Sequence, residues 1–362
     1  SFQLSSNFDV HQISPLLTEK AQHWIKQFSW ETPPRLEGQG FVILPVWTNQ
    51  QPDWRGEVAP TLRLQGQFQA GSGAYRGVSA TSARSHFTCS NMIWHLPDLV
   101  VTRPEGQLDL VHQADNRTRD FYWRVHGTVD VLAVRPLLEP AQQRGLDYFT
   151  FTDPLVVDGE VWGRWEARER TGVKGRVTLS NFTFRAQTVS RFQAALEYTN
   201  QFLMVFDAEV LRPGQRAAAD GVGVDFVGKK VHLTNGYSTA EPQVVARAIG
   251  PKTAQTLEPY HFVQPPTARV NGVVPLDGTQ GADLRVELEG GPFQWWKFNV
   301  PHIAGQVQWT GDSLTLTNIQ TAFYQGEMSG WAGFEFHPDK SADFRFDASV
   351  TNANLQLLMR DV

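Results

Sequence analysis

Apolar and polar residues alternate along most of this chain. Leu62, Leu64, Phe68 and Ala70 are separated by Arg63, Gln65, Gln67 and Gln69, and Leu284, Val286 and Leu288 by Arg285, Glu287 and Glu289. A period of two puts the apolar side chains on one side of an extended strand, so these segments predict strands with one buried face. The C-terminal stretch predicts a meander. It runs through Val307 and Trp309, a turn at Gly311-Asp312, Leu314 and Leu316, then Met328 to Phe336. A turn at Pro338-Asp339 leads into Ala342, Phe344, Phe346 and Ala348, which alternate with Asp343, Arg345 and Asp347.

At three places the period lengthens to that of a helix. Ser14 as cap and Pro15 in the first turn open a stripe of Leu17, Ala21, Trp24, Ile25 and Phe28 at three- and four-residue spacing. A shorter helix is predicted from Pro136 to about Arg144, stopping near Gly145, and a third from Pro242 to Leu257, broken around Gly250 and Pro251.

The helices mark an internal repeat. Asp9, Val10, Pro15, Leu16, Leu17, Phe28, Pro33 and Gly38 recur 121 residues on as Asp130, Val131, Pro136, Leu137, Leu138, Phe149, Pro154 and Gly159. A third copy is fainter, with Phe149 and Gly159 mapping 113 residues on to Phe262 and Gly272. Asn354, Leu355, Leu357 and Leu358 resemble the opening of a fourth. The expected division is residues 1–129 (tail of a preceding strand, helix, then strands), 130–241, 242–353, and a truncated start at 354–362. The expected fold is mainly β: an elongated, curled antiparallel sheet with short helices between repeat units. About fifteen strands spaced ~4.8 Å apart make a sheet ~70 Å long, which has to close, pack on another layer or curl into a trough.

Composition narrows the function. Charged residues are 19% of the chain, the net charge is −5 and both signs are interspersed, so no basic surface for nucleic acid stands out. Cys89 is the only cysteine, which excludes an intrachain disulfide framework and a multi-cysteine metal site. No run of about 18 apolar residues is present. Ser1 opens in strand-like sequence without an initiating Met or a signal peptide, so a longer parent chain is expected, with any anchor or export signal elsewhere.

Candidate chemistry is sparse. The ten histidines lack the H-x-H, H-x-x-H and H-E-x-x-H spacings of metal sites and read as surface or turn residues, so neither metal nor cofactor is expected. Asp153, Asp158 and Glu160 cluster as a glycosidase pair would, but also as the polar edge of a Pro-Gly turn would. Gly311-Asp312-Ser313 lacks the G-x-S-x-G frame and reads as a hairpin. Asn116 and Asn181 begin sequons that carry weight only in a eukaryotic secretory protein. Of the tryptophans, Trp309 is in the apolar phase of its strand. Trp295 and Trp296 are adjacent and face opposite ways, making one of them a candidate exposed contact.

The segment Ser313-Leu-Thr-Leu-Thr-Asn-Ile-Gln-Thr-Ala-Phe-Tyr-Gln-Gly326, followed by Gly330, the stretch 331–336 and Asp343 to Leu358, resembles the C-terminal region of AsmA-like proteins. Related strings recur at Val177-Thr-Leu-Ser-Asn181 and Val231-His-Leu-Thr-Asn235. The resemblance implies a repeating β-groove protein of the Gram-negative periplasm, anchored in the inner membrane by a segment outside this chain. Its hydrophobic groove would carry phospholipid between inner and outer membranes and contribute to outer-membrane biogenesis, with membrane partners at the ends of the full-length protein.

The expected activity is therefore non-enzymatic. Lipid acyl chains would lie against Leu62, Leu64, Phe68, Leu284, Val286, Leu288, Val307, Trp309, Leu314, Leu316, Phe344 and Phe346. The alternative is a structural or carbohydrate-binding β-solenoid or sandwich, in which those residues form an ordinary dry core.

Overall fold

The computed structural model describes residues 1–45, 53–138, 140–276, 281–295, 298–337 and 342–361. The fold is mainly β, with one antiparallel sheet of 20 strands, two small three-stranded sheets and a few short helices. The alternation of the sequence sets the ladder, because each strand has one apolar side to remove from water. The chain divides into two compact units. One comprises Ser1–Asp147, Phe151–Leu179 and Glu197–Asn200, the other Tyr148–Thr150, Ser180–Leu196 and Gln201–Val362.

The first unit begins with strand Phe2–Ser6, which pairs with Arg35–Phe41 across an intervening helical segment. The ladder continues through Arg63–Ala70, Ser82–Ser90, Ile93–Arg103, Gly106–Asp115 and Asp120–Val129. A second helical segment follows, and Leu155–Arg164 returns to pair with Asp120–Val129. In the second unit Phe202–Arg212, Gln215–Asp225 and Lys230–Ser238 pair in order. After a third helical segment, Thr267–Pro275 pairs back onto Lys230–Ser238. Asp283–Gly290, His302–Thr310, Ser313–Phe323, Gly326–Phe336 and Ala342–Thr351 complete that ladder.

The helical segments differ from expectation in detail. The first is a 3-10 helix, Val10–Leu16, capped by Asp9, followed by an α-helix, Glu19–Ile25, capped by Thr18; Phe28 belongs to the next strand. Asp9 displaces Ser14 as the cap because its carboxylate accepts from the His11 N–H at 3.0 Å, while Pro15 lies inside the 3-10 turn. The second is again split, into Arg135–Leu137 and Pro140–Leu146, and Gly145 sits inside the helix it was expected to end. The third is Pro242–Ile249 and Pro251–Leu257, interrupted at Gly250.

Repeated identities have repeated roles. Asp130 accepts from the Leu132 N–H at 2.9 Å, as Asp9 does from His11. Gln22 and Gln143, also 121 apart, each donate to the carbonyl of a repeated leucine, Leu17 at 2.8 Å and Leu138 at 2.9 Å. Beyond the strand Arg35–Phe41 the offset shortens to 109, joining Gly66 to Gly175, Arg76 to Arg185, Asn91 to Asn200, Asp98 to Asp207 and Gly127 to Gly236. Gly38 pairs with Gly66 and Gly159 with Gly175, so the difference lies wholly in the connection after Phe41.

The third copy carries two offsets, 111 at its first short strand and 113 at Gly272, which packs on the backbone of Asp283 and Leu284 as Gly159 packs on that of Lys174 and Gly175. Phe149–Phe151 corresponds to Tyr260–Phe262, and Pro154 to Pro265. A slip of two residues preserves strand parity, so the sequence pattern does not reveal it. Phe28 pairs with Tyr75 and Tyr260 with Trp295, while the intervening copy brings the rings of Phe149 and Phe184 to 4.9 Å. The expected turn at Pro338-Asp339 lies outside the described residues.

Candidate functional site: an apolar sheet face

Residues directly opposite in an antiparallel ladder share a face. In the first unit, Leu4 aligns with Gly38, Gly38 with Gly66, Leu64 with Cys89, Cys89 with Trp94 and Trp94 with Ala114. The same face continues through Leu99, Leu110, Val125 and Gly159. It is apolar from strand to strand, whereas the reverse carries Gln65, Gln67, Asp109, Arg124 and Glu160.

The second unit has a face of the same kind. Val231 and Leu233 lead to Val274 and Gly272, then Leu284, Val286 and Leu288 align with Trp309, Val307 and Gly305. Leu314 and Leu316 follow, then Phe334 and Ala332, and finally Phe344 and Phe346. Of the predicted lining residues, Leu64 and Phe68 share the face of the first unit, and Leu284, Val286, Leu288, Val307, Trp309, Leu314, Leu316, Phe344 and Phe346 share that of the second. Leu62 does not extend the strand as its alternation suggested. It ends the 3-10 turn Ala59–Thr61, its N–H bonded to the Ala59 carbonyl at 3.2 Å.

Burial along these faces is partial. Phe87, Cys89 and Leu99 are buried, but Leu64, Phe68, Val286, Val307 and Leu316 are only half-buried, and Phe344 and Phe346 are 53% and 66% exposed. Burial raises the Cys89 thiol pKa, leaving an uncharged lining group.

Glycines set the relief of the face. Phe87 lies over Gly66, Phe2 over Gly40 and Phe121 over Gly163, each ring occupying the space a Cβ would need. Nothing local along the chain marks these pairs beyond the glycines themselves. The Asn of the repeated strings has a separate role. Asn181, Asn235 and Asn318 have φ of 48°, 50° and 53°, a left-handed conformation that Asn tolerates better than most residues. At Asn235 and Asn318 the register shifts by a bulge, which bends the strand.

Polar groups interrupt the apolar face at few points. His112 stacks on Trp123 with centroids 3.8 Å apart, and its Nδ1 lies 3.1 Å from the Tyr122 carbonyl. Burial lowers its pKa, against the pull of that hydrogen bond, with His95 adding a smaller like-charge effect. Arg103 is buried and pairs with Glu105 at 2.5 Å. Burial opposes ionisation of Glu105, but Arg103 and neighbouring backbone N–H groups together hold its pKa low.

The catalytic candidates have structural partners. Asp158 and Glu160 lie on the polar face, Asp158 between His126 and Arg176 and Glu160 between Arg124 and Lys174, a cross-strand charge ladder. Ser85, His86 and Asp98 converge at a bulge, with the Ser85 hydroxyl 3.1 Å from the Asp98 carboxylate and His86 Nδ1 2.6 Å from it. Both residues bond the carboxylate, so this is not a serine activated by a histidine base. Among the described residues no group of His, Cys, Asp and Glu could hold a metal, and no helix is long and apolar enough to cross a membrane.

Of the tryptophans, Trp94, Trp123 and Trp309 are on the apolar faces, and the Trp309 indole donates to the Gly311 carbonyl at 2.7 Å. Trp331 is on the polar side, opposite Asp347. The backbone of Trp295 pairs with Tyr260; its side chain and Trp296 lie outside the described residues. Comparisons with protein-family models, with curated proteins and with solved structures find no match.

Proposed function

We propose that the apolar sheet faces bind lipid acyl chains, and that the protein is a non-enzymatic groove for phospholipid passage through a Gram-negative periplasm between inner and outer membranes. One observation carries this reading: within each unit a single face is apolar on strand after strand, yet most of its side chains stay half-exposed. An apolar surface of that kind needs an occupant to exclude water. Acyl chains suit it because each buried CH₂ contributes about 0.8 kcal/mol without directional bonds, so chains of different length bind and slide alike. Headgroups stay in water at the margins, and the small number of polar groups on the face leaves little for a headgroup to grip.

The test uses a photo-crosslinking residue at Val286, on the apolar face, and at Arg285, on the reverse. Detergent-free preparations are then analysed for lipid by mass spectrometry. Lipid recovered by crosslinking at Val286 and not at Arg285 supports the groove. No co-purifying lipid, or equal crosslinking from both positions, overturns it. Oligosaccharide binding without lipid favours the structural or carbohydrate-binding alternative.

A further inference from the structure

Three strands of eleven residues end at the same place in the repeat: Ile93–Arg103, Phe202–Arg212 and Ser313–Phe323. Each leads into a tight hairpin whose first residue pairs with the fourth, Arg103 with Gly106, Arg212 with Gln215 and Phe323 with Gly326. The hairpin forms with phenylalanine at this position, so the two arginines are not there to make the turn.

In the first unit the arginine has an internal counter-charge. Arg103 donates to the Glu105 carboxylate and to the Ser79 carbonyl, and Glu105 also accepts from the Asp130 N–H at 3.2 Å. In the second unit Arg103-Pro104 recurs 109 residues on as Arg212-Pro213, but Gly214 stands where Glu105 would be and Gln215 where Gly106 would be. Nη1 of Arg212 is then buried with no acceptor among the described residues, and Oε1 of Gln215 is buried with no donor. These two unmet atoms belong to register partners and do not bond each other. Alternation puts Arg212 on the side of Val210, and Gln215 on that of Ala217, the partner of Val210. Glu209 and Arg216 pair with each other at 2.8 Å on the reverse. A sealed guanidinium N–H without an acceptor is costly, and an oxyanion is what the equivalent side chain holds in the first unit.

We infer that Arg212 is an oxyanion site, which binds a phosphate group in the role that Glu105 fills for Arg103. Arg103 draws on two acceptors from separate groups, and a single phosphate presents oxygens in several directions with which to meet both. Two sources supply that chemistry: free phosphate, or the headgroup of a lipid whose chains lie on the adjoining apolar side. The site does not rest on the groove reading, but the second source does.

The chain Ser1–Val362 is titrated calorimetrically with inorganic phosphate, with dihexanoylphosphatidylglycerol and with dihexanoylglycerol, which lacks phosphate. Arg212→Gln is expected to weaken binding of the phosphate-bearing ligands by about tenfold or more and to leave dihexanoylglycerol unaffected. Gly214→Glu combined with Gln215→Gly copies the first unit's turn and supplies the internal carboxylate. The two changes go together because Gly214 has φ 70°, whereas in the first unit the positive φ belongs to Gly106. This double variant should weaken the same binding as much while keeping the native urea midpoint, and it decides the case if Arg212→Gln fails to fold. Phosphate binding that depends on Arg212, with neither lipid bound, supports the site and overturns the groove. Equal binding of the phosphate-bearing ligands by the native chain and the double variant, or no binding of them at all, overturns the site whatever dihexanoylglycerol does.

Discussion

The ring of Phe87 rests on Gly66, its register partner on the neighbouring strand. A Cβ added to Gly66 would fall 2.8 Å from the ring and 2.1 Å from the Glu37 carbonyl oxygen. Because the second contact is with backbone, neither neighbour can yield cheaply. Gly66→Val is expected to destabilise the protein by about 2 to 3 kcal/mol, the usual range for overpacking a fitted site. Urea denaturation measures it, and a loss below about 0.5 kcal/mol would show that the strands slide apart freely.

Asn235 tests the left-handed strand positions. Its N–H donates to the Asn271 side chain at 2.7 Å, and its own amide donates to Asp220 at 2.8 Å. Asn235→Val combines loss of the second bond with a branched side chain at φ 50° and should cost about 1 to 3 kcal/mol. Asn235→Gly keeps the conformation and should cost markedly less. Comparing the two midpoints separates backbone strain from hydrogen bonding.

The Arg103–Glu105 pair is the most enclosed ion pair described, with side chains 3% and 12% exposed. Removing one partner strands a buried charge, so Glu105→Ala should lose about 3 to 5 kcal/mol. Glu105→Gln, which keeps an acceptor for Arg103, should lose less. Thermal unfolding of both variants provides the ranking.

His112 predicts a pH dependence. Burial keeps its folded-state pKa below the ordinary histidine value, so as pH falls the unfolded chain takes up the proton first. The corresponding stability is fully present above the ordinary value and declines as pH drops through that value toward the lower folded one. His112→Phe should flatten this part of the stability profile between roughly pH 7 and 5. Denaturation midpoints across that range, which should fall in the native protein and stay level in the variant, check it.

A variant outside the apolar face provides a contrast. Asp158→Asn alters a position between His126 and Arg176 on the exposed polar side and should change stability by no more than about 0.5 kcal/mol. It should also leave lipid recovery unchanged.

The alternation of Leu284, Val286 and Leu288 with Arg285, Glu287 and Glu289 was sufficient to place those residues on opposite sides of a strand, because strand geometry has a period of two and no freedom in it. The helix-strand cadence was legible for the same local reason, as was the recurrence of Asp9 as Asp130. Local pattern could not establish register. The 113-residue offset holds for Gly159 and Gly272 but is two too long for Phe149, whose short strand Phe149–Phe151 corresponds to Tyr260–Phe262, and a slip of two leaves no trace in strand parity. Nor could it show that Leu62 leaves its strand, that Phe87 covers Gly66, or that Gln22 and Gln143 tie repeated turns. Sequence determined which side of each strand is apolar, since that depends on residues two apart. Tertiary structure alone decided which strands lie together and how far each face stays exposed, because both depend on neighbours remote along the chain.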